Sequence, residues 1–319
     1  MNSFIQNNLR LYGIIIVKKE RFSGVQLCKG VMLLKRKIMA FIVGIGLALT
    51  ATACGKTPGY ALKEYHEVDG RQGVACSEEG FFVSGSTTLS YYDSNWTLQE
   101  TNADPFADFE KEENHIGDID YYNGNIYAGV EYFMDGVAKN IAIAIYDGKT
   151  MTLKSYFPFE ESSGQTECSG ITVDKDNNSV WMCSWEEKES GEYLYRYDLT
   201  SGEYLGKYHM QESPKLIQGI VYHEGYIYIT SDDGDADKDE YDNIYRAKVD
   251  LSKDSFDVEK ALTLDSVERA GEIEGLSFDN SGNLLVLNNR GAIIVKGMPK
   301  GFYEGYDKEI HEVYILSEA

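Results

Sequence analysis

The chain has 319 residues, 30 of them basic and 52 acidic, for a net charge of −22. The imbalance is uneven: residues 1–54 hold eight Lys or Arg and one acid, leaving 22 basic against 51 acidic residues beyond Cys54, a net charge near −29. A surface of that sign excludes nucleic-acid binding, which needs a basic face, and suits cationic or neutral ligands.

In chain order, residues 1–53 read as a leader. From Met39 the sequence runs MAFIVGIGLALTATAC behind Lys35, Arg36 and Lys37. A basic cluster, an apolar run and a small-residue exit make a secretory signal peptide. The apolar run from Ile38 to Ala53 has sixteen residues, short of the roughly twenty of a comfortable transmembrane helix. Ala51-Thr52-Ala53-Cys54 resembles the bacterial lipobox, with Ala51 where Leu is usual. The resemblance implies lipidation of Cys54 and export to the outer face of the bacterial cytoplasmic membrane, the cell surface. The membrane is then a partner through the lipid anchor, and residues 54–59 form the lipidated cysteine and a short tether. Translation is expected to start at Met32, which leaves residues 1–31 outside the protein; a longer leader is the alternative.

Residues 60–319 contain a repeat. Each unit places a Gly before alternating apolar residues, then a turn, then a second apolar strand: QGVACSEEGFFVSGS, IGDIDYYNGNIYAGVEY, SGITVDKDNNSVWMCSW, QGIVYHEGYIYITSDD and EGLSFDNSGNLLVLNN. The leading glycines Gly73, Gly117, Gly170, Gly219 and Gly275 are spaced by 44, 53, 49 and 56 residues. Period-two alternation with Asp, Asn and Gly turns predicts antiparallel hairpins. Further strands follow, such as IAIAIYDGKT and YLGKYHM. Four short strands per unit is the blade of an all-β propeller. The leading Gly fits inner strands crowded near the axis. Five blades are expected, or six if the segment from Asn102 to Asn114 carries strands. The isolated strand ALKEYHEV from Ala61 is expected to complete the last blade and lock the ring.

Cys168 and Cys183 flank one predicted hairpin, and two readings stay open: a disulfide, which an exported location permits, or two small buried hydrophobes.

At fold level the pattern resembles the superfamily of SMP-30/gluconolactonase, strictosidine-synthase-like and NHL propellers, carried by EGLSFDNSGNLLVLNN with Glu274 before its Gly and Asn288-Asn289 at its end. In the lactonase-like members a Glu from an EG motif and Asn or Asp residues from other blades hold calcium, which polarises the carbonyl. The resemblance implies Glu274, Asp232 and Asn288 as metal ligands for Ca and His115 as the catalytic base. Not every one of that family's ligands has a counterpart in a matching blade of this sequence.

Propeller ligands bind where inner-strand starts and second-strand ends converge. Gln72, Asp118 and Gln218 stand there as ligand-binding candidates, amid Arg71, Glu167, Ser169, Glu272 and Glu274, with Glu131, Ser184, Ser231, Asn289 and Arg290 at the second-strand ends. Between Arg290 and Glu309 a long aromatic loop offers Phe302, Tyr303 and Tyr306 as a lid or binding surface, or alternatively as a plug packing one end of the propeller. The acidic stretch from Ser231 to Asn243 is no EF-hand: counted from Asp233, Lys238 stands at the sixth position in place of Gly and Ile244 at the twelfth in place of Glu. No G-x-S-x-G, phosphate loop or HExxH occurs. The function expected is a surface-anchored propeller that binds an unknown small-molecule or protein ligand. A calcium-dependent lactonase or esterase is the alternative.

Overall fold

Alternating residues share a face every second position, so a strand with one apolar set must bury it against a neighbouring sheet. The computed structural model describes residues 59–319 except Asp135, Arg269, Lys296 and Gly297; the leader, Cys54 and the tether through Pro58 lie outside the described residues. The chain enters through β1 (Tyr60–Glu67) and lays down four-stranded antiparallel sheets, each in order from the inside outward. β2 (Gly73–Cys76), β3 (Gly80–Gly85), β4 (Thr88–Asp93) and β5 (Leu98–Asn102) form the first. β6 (His115–Tyr122), β7 (Asn125–Met134), β8 (Val137–Asp147) and β9 (Leu153–Pro158) form the second. β10 (Gly170–Asp174), β11 (Ser179–Cys183), β12 (Tyr193–Asp198) and β13 (Tyr204–Gln211) form the third. β14 (Ile217–His223), β15 (Tyr226–Ser231), β16 (Asn243–Lys248) and β17 (Ser255–Thr263) form the fourth, which joins the third through a parallel β13–β17 pairing. The last takes β18 (Gly271–Phe278) and β19 (Leu284–Arg290). After a separate hairpin of β20 (Ala292–Val295) and β21 (Met298–Phe302) it is completed by β22 (Ile310–Glu318), with β1 outermost.

The sheets close into a β-propeller. An apolar cluster fills each gap between neighbours: Phe82 and Ile126 between the first two sheets, Ile143 and Tyr195 between the second and third, and Trp181 and Ile229 between the third and fourth. Tyr228 and Val286 pack between the fourth and last, and Val83 and Leu287 between the last and first. Wholly buried side chains such as Trp181, Phe82 and Ile143 each contribute about 1.5–3 kcal/mol by leaving water. Much of the tyrosine content serves this packing, with Tyr146, Tyr195 and Tyr197 fully buried.

As the sequence predicts, the N-terminal strand completes the last sheet: Tyr60 pairs with Glu318 and Glu67 with Glu312. Trp96 stacks on Phe81 and on His66 of β1, tying the closing strand to the first sheet. Among the described residues, 103–114 contain no strand; Phe106 and Phe109 pack there against the first apolar cluster instead. The leading glycines sit where inner strands meet. A Cβ on Gly73 would stand 2.8 Å from Asp118 Oδ1, and one on Gly219 2.6 Å from the Gly275 Cα. At the opposite ends of the inner strands, Asn123-Gly124 and Glu224-Gly225 both take positive φ, the type I′ geometry of a two-residue hairpin. Cys168 and Cys183 are both free and buried. Gly170 is the residue opposite Cys183, so Cys168 lies two positions out of register for a cross-strand pair.

Candidate functional site at the mouth of the channel

The inner strands start, and the second strands end, at the same face of the ring, so side chains there converge on the channel mouth. Arg71, Gln72 and Ser86 from the first sheet line a pocket with His115 and Phe133 from the second, and Glu167, Ser169 and Trp185 from the third; Gln218, Glu272 and Glu274 complete it. The pocket is open to solvent and encloses about 570 Å³ when that solvent is included.

Charge in the mouth is organised around one cation. Arg71 Nε donates to Glu309 at 3.1 Å and Nη2 to Glu272 at 3.3 Å, with Glu274 at 4.0 Å. Glu272 also accepts from Gln218 at 2.9 Å, and Glu274 accepts from Asn289 Nδ2 at 2.7 Å. Burial, with Glu272 nearby, pushes the Glu274 carboxyl well above its usual range, against the pull of Arg71.

A second group lies across the mouth. His115 Nδ1 is 3.2 Å from Glu131 Oε1, and the other Glu131 oxygen accepts the Cys168 N–H at 2.8 Å. Glu167 accepts the Trp185 N–H at 2.6 Å. Burial raises both carboxyls, and the Glu131 charge raises Glu167 further. Burial, aided by Arg71, lowers His115 to about 4, so the imidazole is neutral near pH 7.

Asp118 lies below this rim, fully buried. Its carboxylate accepts the N–H groups of Ile119 at 2.8 Å and Ile220 at 3.0 Å, and a Cβ on Gly73, Gly219 or Gly275 would contact it. It closes the floor of the channel and is absent from the pocket lining.

The sequence candidates thus divide. Gln72, His115, Gln218 and Glu274 meet in the mouth pocket. Asp232 and Tyr303 line a neighbouring acidic pocket with Asp235, Glu240, Asp242 and Glu272. Phe302 is exposed. Tyr306 packs at the hairpin base, its hydroxyl 3.3 Å from Arg290 Nη1. Asn288 turns away from the mouth and donates to the Glu268 carbonyl at 2.9 Å; its neighbour Asn289 holds Glu274 instead. Glu274, Asp232 and Asn288 are therefore not gathered into one donor set, and Arg71 and Asn289 already engage Glu274. Among the described residues no three His, Cys, Asp or Glu side chains are placed to hold a metal ion. The connection from Arg290 to Glu309 contains the β20–β21 hairpin rather than an irregular loop.

Ser86, Phe133, Trp185 and Glu309 are mouth residues that the sequence reading passed over. Counting two positions past Glu131 and past Cys183 along each second strand would have found both aromatics.

No family model matches the chain, and no curated protein matches it. Among solved structures the chain is similar to the Myxococcus xanthus glutaminyl cyclase, at 11% sequence identity and a TM-score of 0.50, over 81% of this chain and 97% of that one. It also matches Kuenenia stuttgartiensis hydrazine synthase at 14% identity and a TM-score of 0.46, over 72% and 79%. At these identities the first likeness bears on the fold alone, a β-propeller; the second adds no argument.

Proposed function

We propose that the chain is a binding propeller, held by a lipid on Cys54 at the outer face of a bacterial cytoplasmic membrane, which takes its ligand at the channel mouth without transforming it. The observation that supports this is the convergence of Gln72, His115, Glu167, Trp185, Gln218 and Glu272, drawn from all the sheets, on one solvent-open pocket. Polar groups fixed by a rigid ring, with Phe133 and Trp185 supplying apolar area, make a site pre-formed for recognition. A hydrolase of the lactonase type would need the Glu274 carboxylate free for a metal, whereas Arg71 and Asn289 engage it.

Two measurements test the reading. A lipid precursor should label the chain, and Cys54→Ala should abolish the label. A thermal-shift screen of small molecules should return stabilising ligands whose effect Trp185→Ala removes. Turnover of lactones or esters that is lost in Glu274→Gln would replace this reading with the hydrolase one.

A further inference from the structure

Two hairpins rise beside the mouth. β7 and β8 continue their pairing past Glu131 through Phe133, opposite Ala138, to Met134 opposite Val137; Phe133 lines the pocket while Met134 and Val137 are 52% and 57% exposed. The β20–β21 hairpin starts beyond the mouth end of β19, and its Ile294 and the following Tyr303 line the acidic pocket that shares Glu272 with the mouth. Val295 and Phe302 on it are each 48% exposed. Scattered single apolar residues need no explanation, but here exposed apolar pairs stand on two hairpins that border two adjoining pockets, which share Glu272.

The ground between the hairpins is acidic. Glu167, Glu272 and Glu274 line the mouth, and Asp232, Asp235, Glu240 and Asp242 line the pocket beside it. Among the described residues Arg71 is the one guanidinium lining the mouth pocket, and three carboxylates already share it. β1 runs toward the mouth from Tyr60, and the Ala319 N–H bonds the Gly59 carbonyl at 2.7 Å at the opposite face. The described residues therefore begin at the face opposite the mouth.

We propose that the mouth face docks a basic, partly apolar segment of a partner polypeptide, with one Lys or Arg side chain in the mouth pocket and neighbouring apolar residues against Met134, Val137, Val295 and Phe302. This rests on the reading of the mouth as a ligand site and names the class of ligand. Charge complementarity selects the occupant: a second copy of this chain, itself strongly acidic, is repelled, and so is an anionic membrane. The desolvated cation supplies specificity for the pocket, and the hairpins supply apolar contact area that a free amine cannot use.

Calorimetry on the full-length chain tests this with a short peptide alternating Leu and Lys, the same peptide with Glu for Lys, and butylamine. The Lys peptide should bind, more weakly as salt approaches physiological strength, and the Glu peptide should not. Glu272→Gln should weaken binding roughly tenfold. The surface double variant Val295→Ser with Phe302→Ser, whose fold circular dichroism verifies, should do likewise. Equal binding of both peptides, or unchanged binding in the double variant, overturns the proposal. Butylamine binding as tightly as the Lys peptide, or a small molecule that fills the mouth while no peptide binds, also overturns it but leaves the mouth a ligand site.

Discussion

The carboxylate of Asp118, on the inner strand of the second sheet, accepts the backbone N–H of Ile220 in the fourth at 3.0 Å. These sheets are not neighbours, so the bond spans the axis of the ring and fixes two blades relative to each other. Asp118→Ala leaves that buried N–H without an acceptor and should cost about 1–3 kcal/mol. Asp118→Asn keeps one acceptor oxygen and should cost less. Urea midpoints of the two variants check the order; equal midpoints would mean that the bond contributes nothing.

Closure by β1 should be all-or-none. Deleting residues 60–67 exposes the β22 edge from Glu312 to Glu318 and removes the Tyr65–Tyr314 stack and the His66–Trp96 contact. The truncated chain should lose cooperative unfolding altogether. Hydrogen exchange confined to the last sheet, with the rest protected, would show that the ring stands without its closing strand.

Stability should fall as pH rises from about 6.5 to 8. Burial raises Glu113 from 4.5 to about 8, with the Glu131 charge adding to it, and burial also raises Glu131. Such groups keep a proton in the folded state that the unfolded chain releases. Their stabilisation is complete below 4.5 and is lost as pH climbs through the raised value. His115 works in the opposite sense: lowered to about 4, its stabilisation is present above 6.5 and lost on acidification. Above 6.5 only the carboxyl effect remains. Melting temperatures across that window should drop, and Glu131→Gln should flatten the slope. A rise over the same window would contradict the assignment.

Arg71→Met should cost about 2–3 kcal/mol, below the 3–5 of a fully buried pair, because the guanidinium is partly exposed. Glu272, Glu274 and Glu309 would lose their shared cation. Arg71→Lys should recover only part of the loss, since one ammonium cannot reproduce a planar fork that reaches three carboxylates. Full recovery by Lys, read from chemical denaturation, would reduce the role of Arg71 to bulk charge.

The repeat was legible because period-two alternation within a recurring four-strand unit leaves a trace in the order of residues: the glycines at 73, 117, 170, 219 and 275 mark inner strands, and each does meet a neighbouring strand closely. Residues just before those glycines, such as Gln72, Gln218 and Glu274, were placed in the mouth for the same reason. What the sequence leaves ambiguous is which of two adjacent residues faces inward. Asn288 and Asn289 are chemically alike, and only the pairing of Ile273 with Asn288 and Glu272 with Asn289, beside a register shift in β18, decides that Asn289 reaches Glu274. The Arg71–Glu309 ion pair spans 238 positions, a distance over which no local pattern carries information.

The parallel pairing of β13 with β17, from His209 opposite Ser255 to Gln211 opposite Asp257, makes the ring unequal around its circumference. Elsewhere neighbouring sheets meet through side chains and through single backbone bonds near the axis, such as Asp118 N–H to the Ser169 carbonyl and Gly275 N–H to the Gln72 carbonyl, but here two of them pair along their outer margins. An outer margin is where a propeller would otherwise present free amide and carbonyl groups to a stray strand. This stretch of rim is closed to such pairing, and the third and fourth sheets should open and exchange their amides as one cooperative body.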